Sequence, residues 1–230
     1  MEKTINEITS SIINTVRPKM VDDDWIDERD VREWVNDQRN EFARQQLSRN
    51  PISIDINFFQ TENIEMKVIN SSLHSSYNSG EVVLVSKNKI PTVLHRKGST
   101  PAINKIGSNM FLSYPYRYED SNSILQFLNG GRSFNKDTIL ATIDHGYLVL
   151  IAKENPTLKG IKIVTLEAVF ENPLEISTFS EDDSVYPLPG NLRRPLEKKI
   201  ISENFGIEIQ NYSDETNDSN HELKPDTDGN

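Results

Sequence analysis

Histidine and acidic side chains are the residues in this sequence whose chemistry could support catalysis or metal binding. The four histidines, His74, His95, His145 and His221, are scattered, and none has a metal-ligand partner two to four residues further on. Zinc sites usually take ligands at short spacings, and thiolate ligands are excluded because the chain contains no cysteine. Neighbouring strands could still bring histidines together, but turn or surface positions are the simpler interpretation.

Other motifs resemble chemical sites, but each lacks residues that the chemistry needs. Asp144 and His145 are adjacent, yet no G-x-S-x-G nucleophile motif accompanies them. The acidic clusters 22–24 and 181–183 lack the glycine and terminal glutamate of a calcium loop, and the Gly-Gly-Arg at 130–132 lacks the Lys-Ser/Thr of a phosphate loop. We therefore predict no catalytic residue, no metal site and no cofactor.

Charge is distributed unevenly along the chain. The 230 residues carry a net charge of −10, with a pI near 5.0, which argues against nucleic-acid binding by the whole surface. Residues 60–118 are nevertheless locally basic. Candidate DNA-facing residues there are Lys87, Lys89, Arg96, Lys97 and Lys105, with a solvated strand face as the alternative. No apolar run approaches the roughly 20 residues of a membrane span, so we expect no membrane partner.

Helical periodicity identifies the elements that would position these residues. Residues 22–47, DDDWIDERDVREWVNDQRNEFARQQL, indicate one amphipathic helix with Asp27 as its N-cap. An isoleucine-rich helix over residues 4–17 precedes it, and the two should form a helical hairpin. A last helix is predicted over residues 192–205, with Gly206 as its C-terminal stop.

Alternating apolar residues predict strands between these helices. Residues 52–58 are typical of a half-buried strand, and residues 120–129 of a short helix. Residues 139–143, 147–152 and 161–170 are expected to form a meander of three antiparallel strands, with Asp144-His145-Gly146 as one of its turns.

These elements predict an α+β fold in which the N-terminal helices and a C-terminal helix form a helical bundle, with a β-rich antiparallel insertion between them. The predicted segments are a helical hairpin (1–50), the β-rich insertion with one short helix (51–190), the C-terminal helix packing on the N-terminal helices (191–207) and an acidic, flexible tail (208–230).

The arrangement resembles the ring or collar proteins of the head–tail connector in crAss-like, short-tailed bacteriophages. The resemblance covers roughly residues 1–207. It is carried by the isoleucine-rich first helix, the stretch DDDWIDERDVREWVNDQRNEFARQQL, the strand directly after it, and VYPLPGNLRRPLEKKIISENFG before the tail.

This resemblance implies a non-enzymatic structural protein of the virion, at the head–tail junction. Copies of the chain would form a ring, commonly of twelve, next to the portal protein or an adjoining ring. The ring would continue the channel for double-stranded DNA, without sequence readout, and would dock the next tail component. Assembly would take place in the host cytoplasm.

Exposed tryptophan and arginine residues commonly anchor interfaces, so we take five of them as candidate interface residues. They are Trp25, Trp34, Arg39, Arg193 and Arg194. Simple core packing is the alternative for the tryptophans. Two other functions remain open: a hydrolase carried in the particle, or a DNA-binding accessory protein.

Overall fold

The computed structural model describes residues 3–20, 25–49, 54–69, 81–95, 100–108, 116–120, 123–124, 138–153 and 160–207. The predicted tail at 208–230 lies outside these residues, as does most of the short helix predicted over 120–129.

The two N-terminal helices both begin at side-chain caps. Helix α1 spans Ile5–Val16, and Thr4 and Glu7 cap it reciprocally through hydrogen bonds of 3.3 and 2.9 Å. Helix α2 spans Glu28–Arg49, and the Asp27 carboxylate accepts a 2.9 Å hydrogen bond from the backbone of its first turn. The N-cap predicted for this helix is therefore confirmed.

The third helix, α3, spans Gly190–Phe205, so it begins two residues before the predicted start, and it ends at Gly206 as predicted. Gly206 has φ 62° and its N–H bonds back into the last turn, a left-handed cap that glycine adopts at little cost. Buried apolar side chains from all three helices meet in one cluster, whereas Ala43 and Leu47 of α2 belong to another. The main members of the cluster shared by the three helices are Ile5, Ile8, Ile12, Ile13, Val16, Val31, Val35, Leu196, Ile200 and Ile201.

Among the described residues, seven strands form one mixed sheet. They are β1 (Gln60–Ile69), β2 (Glu81–Ser86), β3 (Ile103–Gly107), β4 (Arg117–Tyr118), β5 (Leu140–Asp144), β6 (Tyr147–Lys153) and β7 (Ile163–Ala168). Their order is β3-β7-β1-β2-β6-β5-β4. The β4–β5 pair is parallel and the other pairs are antiparallel.

This sheet shows that the predicted fold, a helical bundle with a β-rich insertion, is wrong. The described strands all join one seven-stranded sheet that three helices accompany, so the sheet is not an insertion into a helical bundle. The three strands predicted for the meander form and the first two pair, but its third strand is placed wrongly, because β7 pairs with β1 and β3 and not with β6. Strands that are distant in sequence thus pair in one sheet, and the short connections between consecutive strands do not predict such pairs.

The strand predicted over residues 52–58 is wrong over the described residues 54–58, and residues 52–53 lie outside the described part of the chain. Ile56–Phe58 forms a short 3₁₀ turn, and the Asp55 carboxylate accepts a 2.9 Å hydrogen bond from the Asn57 backbone N–H. Aspartate readily makes such local bonds, which compete with the extended conformation. The first strand therefore begins only at Gln60.

The central strands of the sheet are buried on both faces. Leu84 and Leu150 belong to the larger apolar cluster, whereas Val83 and Val149, their neighbours along β2 and β6, belong to another. Successive strand residues point to opposite faces, so both faces of these strands are covered. This explains why β2 and β6 are almost continuously apolar.

The β5–β6 hairpin confirms the turn predicted at Asp144-His145-Gly146. Asp144 pairs with Tyr147, which leaves a two-residue loop in which His145 has φ 50° and Gly146 has φ 82°. Two positive φ values are the mark of a type I′ turn, whose twist matches that of the flanking strands.

Candidate functional site

Arg39 lies inside the subunit, where it joins α2 to the ends of the sheet. Its side chain is inaccessible to solvent. Nε donates to the Pro187 carbonyl oxygen at 2.8 Å, and Nη1 donates to the Phe170 carbonyl oxygen at 2.8 Å. Nη2 donates to the Phe58 carbonyl oxygen at 3.0 Å. These carbonyls belong to the segments before β1, after β7 and before α3, so one side chain fixes three connections.

Neighbouring polar residues complete this buried cluster. Asn40 donates to the Glu171 carbonyl oxygen at 2.8 Å, and the hydroxyl of the buried Tyr186 donates to Asn36 Oδ1 at 2.6 Å. Burial lowers the pKa of Arg39 to about 10, so the guanidinium stays charged near neutral pH. Because an interface residue must be accessible before assembly, we do not retain Arg39 as an interface candidate.

The two tryptophans occupy opposite environments. Trp34 is half-buried and packs edge-to-face on Phe205, with ring centroids 5.5 Å apart and an interplanar angle of 82°. Trp25, which precedes the cap of α2, is 91% exposed. Trp34 thus supports the contact between α2 and α3, whereas Trp25 presents nearly its whole side chain to solvent.

A cleft of about 570 Å³ opens between the start of α1, the 3₁₀ turn before β1 and the segment that leads into α3. We refer to it as the α1–α3 cleft. Lys3, Ile56, Val185 and Arg193 are among its lining residues. Ile56 is 71% exposed and Val185 is 51% exposed, so apolar surface is available at this site. Exposed apolar side chains grouped at one concavity are typical of a contact surface.

The two candidate interface arginines lie in the first half of α3. Arg193 lines the cleft and also forms an ion pair with Glu197, with Nε and Oε1 3.6 Å apart. Arg194 is exposed. Their roles in an interface stay predictions, although both positions are compatible with contact at the cleft side of the subunit.

Three of the five candidate DNA-facing residues, Lys87, Lys89 and Lys105, lie in the described part of the chain. Lys87 Nζ lies 2.6 Å from the Glu65 carboxylate, and this contact lowers the pKa of Glu65. Lys105 pairs across the β3–β7 ladder with Glu167. Lys89 is exposed, and Arg96 and Lys97 lie outside the described residues. Facing DNA therefore remains a prediction for these residues.

The residues first considered for chemistry serve structural roles where they are described. Each acidic side chain of the 181–183 cluster contacts another residue: Glu181 pairs with Arg32 at 3.0 Å, Asp182 with Asn6 at 2.6 Å and Asp183 with Ser180 at 3.3 Å. No group of three or more potential metal ligands is found among the described residues. His74 and His221 lie outside them, as do residues 22–24 and 130–132.

Sequence reasoning missed the structural role of Arg39, although a signal was present. The buried residues Val31, Val35, Arg39, Ala43 and Leu47 follow one another at intervals of four along α2. Residues four apart share one face of a helix, so an arginine in an otherwise apolar row is expected to be buried and fully hydrogen-bonded.

The chain matches a known protein family. The family model described as phage tail ring protein 2 matches residues 7–227. This confirms the resemblance to ring proteins of crAss-like phages. None of the curated proteins compared with the chain matches it. In the described part of the chain, no helix is both long and apolar enough to cross a membrane.

Proposed function

Because the chain belongs to the phage tail ring protein 2 family, and is therefore a structural component of the virion, we propose that the ring formed by its copies lies in the head–tail connector. Copies of the chain, twelve in our proposal, surround the DNA channel between the portal protein and the tail. The ring docks the next tail component on its far side. The protein has no enzymatic role, and its subunits assemble in the host cytoplasm.

The observation that carries this proposal is the family match over residues 7–227. The subunit itself supports a structural role. Arg39 ties α2, the sheet and α3 together through three backbone carbonyls. A rigid subunit suits a ring, because each copy must hold its two contact surfaces at a fixed angle for the ring to close.

Charge supports passage of DNA without tight binding. The chain carries a net charge of −10, and Lys87 is paired with Glu65. Protein–DNA affinity comes largely from lysine and arginine on phosphates, so an acidic protein adheres weakly to the duplex. A channel wall of this kind lets the genome slide past it.

Electron microscopy of purified particles tests the proposal. We expect density for a closed ring at the head–tail junction into which the α-helices and the sheet fit, with twelve copies related by rotation. Quantitative mass spectrometry of the same particles should give the same copy number relative to the portal protein. Absence of the chain from particles, or its presence at one or two copies, would reject the ring. Salt-sensitive DNA binding by the isolated chain would instead favour a DNA-binding accessory protein.

A further inference from the structure

We infer that Trp25 of one copy inserts into the α1–α3 cleft of the next copy around the ring. The inference rests on the proposed ring and identifies the two surfaces that join its copies. The occupant of the cleft is therefore a second copy of this chain, through its segment at the start of α2.

A ring of more than two copies needs two different surfaces on every subunit. In such a head-to-tail contact, a patch on one copy meets a distinct patch on the next, and the rotation between them closes the ring. Trp25 and the cleft satisfy this condition, because Trp25 is not among the residues that line the cleft of its own chain. With 91% of its surface exposed, Trp25 makes little contact within its own subunit.

The cleft has the size and surface that an indole ring requires. Its volume of about 570 Å³ lies within the usual range of sites that bury organic groups. The exposed apolar surfaces of Ile56 and Val185 would be covered, and Asn57 and Thr61 offer polar atoms for the indole N–H. Tryptophan favours sites that combine apolar walls with a hydrogen-bond acceptor.

The charges of the two surfaces are complementary. Asp27, Glu28 and Asp30 are exposed next to Trp25, with Arg29 as the basic residue among them. The cleft is lined by Lys3 and by Arg193, which is ion-paired with Glu197, and none of the residues that line the cleft is acidic. Complementary charge fixes the register of an interface and disfavours the wrong partner, here a second acidic segment.

Chemical cross-linking tests this contact, because the chain contains no cysteine and introduced thiols are unique. Arg29→Cys chains and Val185→Cys chains are mixed, concentrated and treated with a short bismaleimide. We expect a covalent dimer of one chain of each kind. Adding Trp25→Ala to the Arg29→Cys chain should remove the dimer and weaken self-association by roughly 30-fold in sedimentation, a typical loss for an interface tryptophan.

Val68→Cys, exposed on β1 and away from the cleft, replaces Val185→Cys as the matched control and should give no dimer with Arg29→Cys. A chain that associates without the 29–185 cross-link, or that stays monomeric, overturns the inferred contact. That result leaves the proposed function intact if microscopy shows the ring in particles. Absence of the ring from particles rejects the proposed function as well.

Discussion

Replacing Arg39 with lysine tests whether one buried side chain holds the subunit together. Lysine keeps the positive charge but places all its donors on one nitrogen. The guanidinium uses three nitrogens, which meet the carbonyl oxygens of Phe58, Phe170 and Pro187 at 3.0, 2.8 and 2.8 Å. A single ammonium group cannot lie within hydrogen-bond distance of all three, so one or two carbonyls lose their donor.

The expected loss follows from the cost of a buried acceptor without a donor. That cost is about 1–3 kcal/mol for each carbonyl, which gives a loss of about 1–6 kcal/mol for one or two of them. We expect about 3 kcal/mol, since the buried charge is kept while part of its hydrogen bonding is lost. Domains of this kind are stable by only about 5–15 kcal/mol, so the change is a substantial fraction of the total.

Urea unfolding followed by circular dichroism measures the effect as a lower midpoint with an unchanged slope. Arg44→Lys is the matched control, because Arg44 lies on the same helix and pairs with Glu171 at 3.0 Å, with 53% of its side chain exposed. An exposed pair contributes at most about 1 kcal/mol, so this variant should unfold close to the unchanged protein. Equal midpoints for the two variants would refute the role assigned to Arg39.

Two further substitutions test the hairpin turn and the contact between helices. Gly146→Ala places an L side chain at φ 82° and should cost about 1–2 kcal/mol in thermal unfolding, whereas Gly160→Ala, with open space around it, should cost little. An equally large loss of stability in the Gly160→Ala variant would contradict the role assigned to the positive φ of Gly146. A 2.6 Å hydrogen bond from Lys199 lowers the pKa of Glu41. The stability that this hydrogen bond contributes is therefore present above pH 4.5, the ordinary pKa of a glutamate, and is lost as the pH falls through the pKa of Glu41 in the folded state. In acid titrations of unfolding, Glu41→Gln should therefore lose less stability below pH 4.5 than the unchanged protein. Identical acid profiles for the two proteins would contradict the assignment to Glu41.

Local signals in the sequence predicted several elements correctly. The Asp27 cap, the Gly206 stop and the His145-Gly146 turn all depend on interactions within a few residues. Capping side chains and positive φ values are decided by neighbouring backbone atoms, and the sequence records those neighbours directly. The apolar stripe of α1 follows for the same reason, because helical spacing fixes which residues share a face.

Strand pairing was not predictable in this way. β7 lies next to β1 in the sheet although about a hundred residues separate Asn63 from its partner Thr165. A chain segment with alternating apolar residues can pair with any compatible strand, so the pattern predicts a strand but not its neighbours. The candidate interface residues were not all predicted correctly, for a related reason. Trp25 is exposed whereas Trp34 is half-buried and Arg39 is buried, and the exposure of a side chain depends on which other parts of the chain cover it.

The sequence by itself determined the N-cap of α2, the C-terminal stop of α3, the turn that closes the β5–β6 hairpin and the family that the chain resembles, because these depend on residues close together or on the order of motifs. Only the tertiary structure decided that the strands join into one seven-stranded sheet, that Arg39 is buried and that Trp25 stays exposed. Those outcomes depend on contacts between segments that are distant in sequence. Such contacts bury apolar surface and supply hydrogen-bond partners to buried polar groups, and both depend on how the whole chain packs.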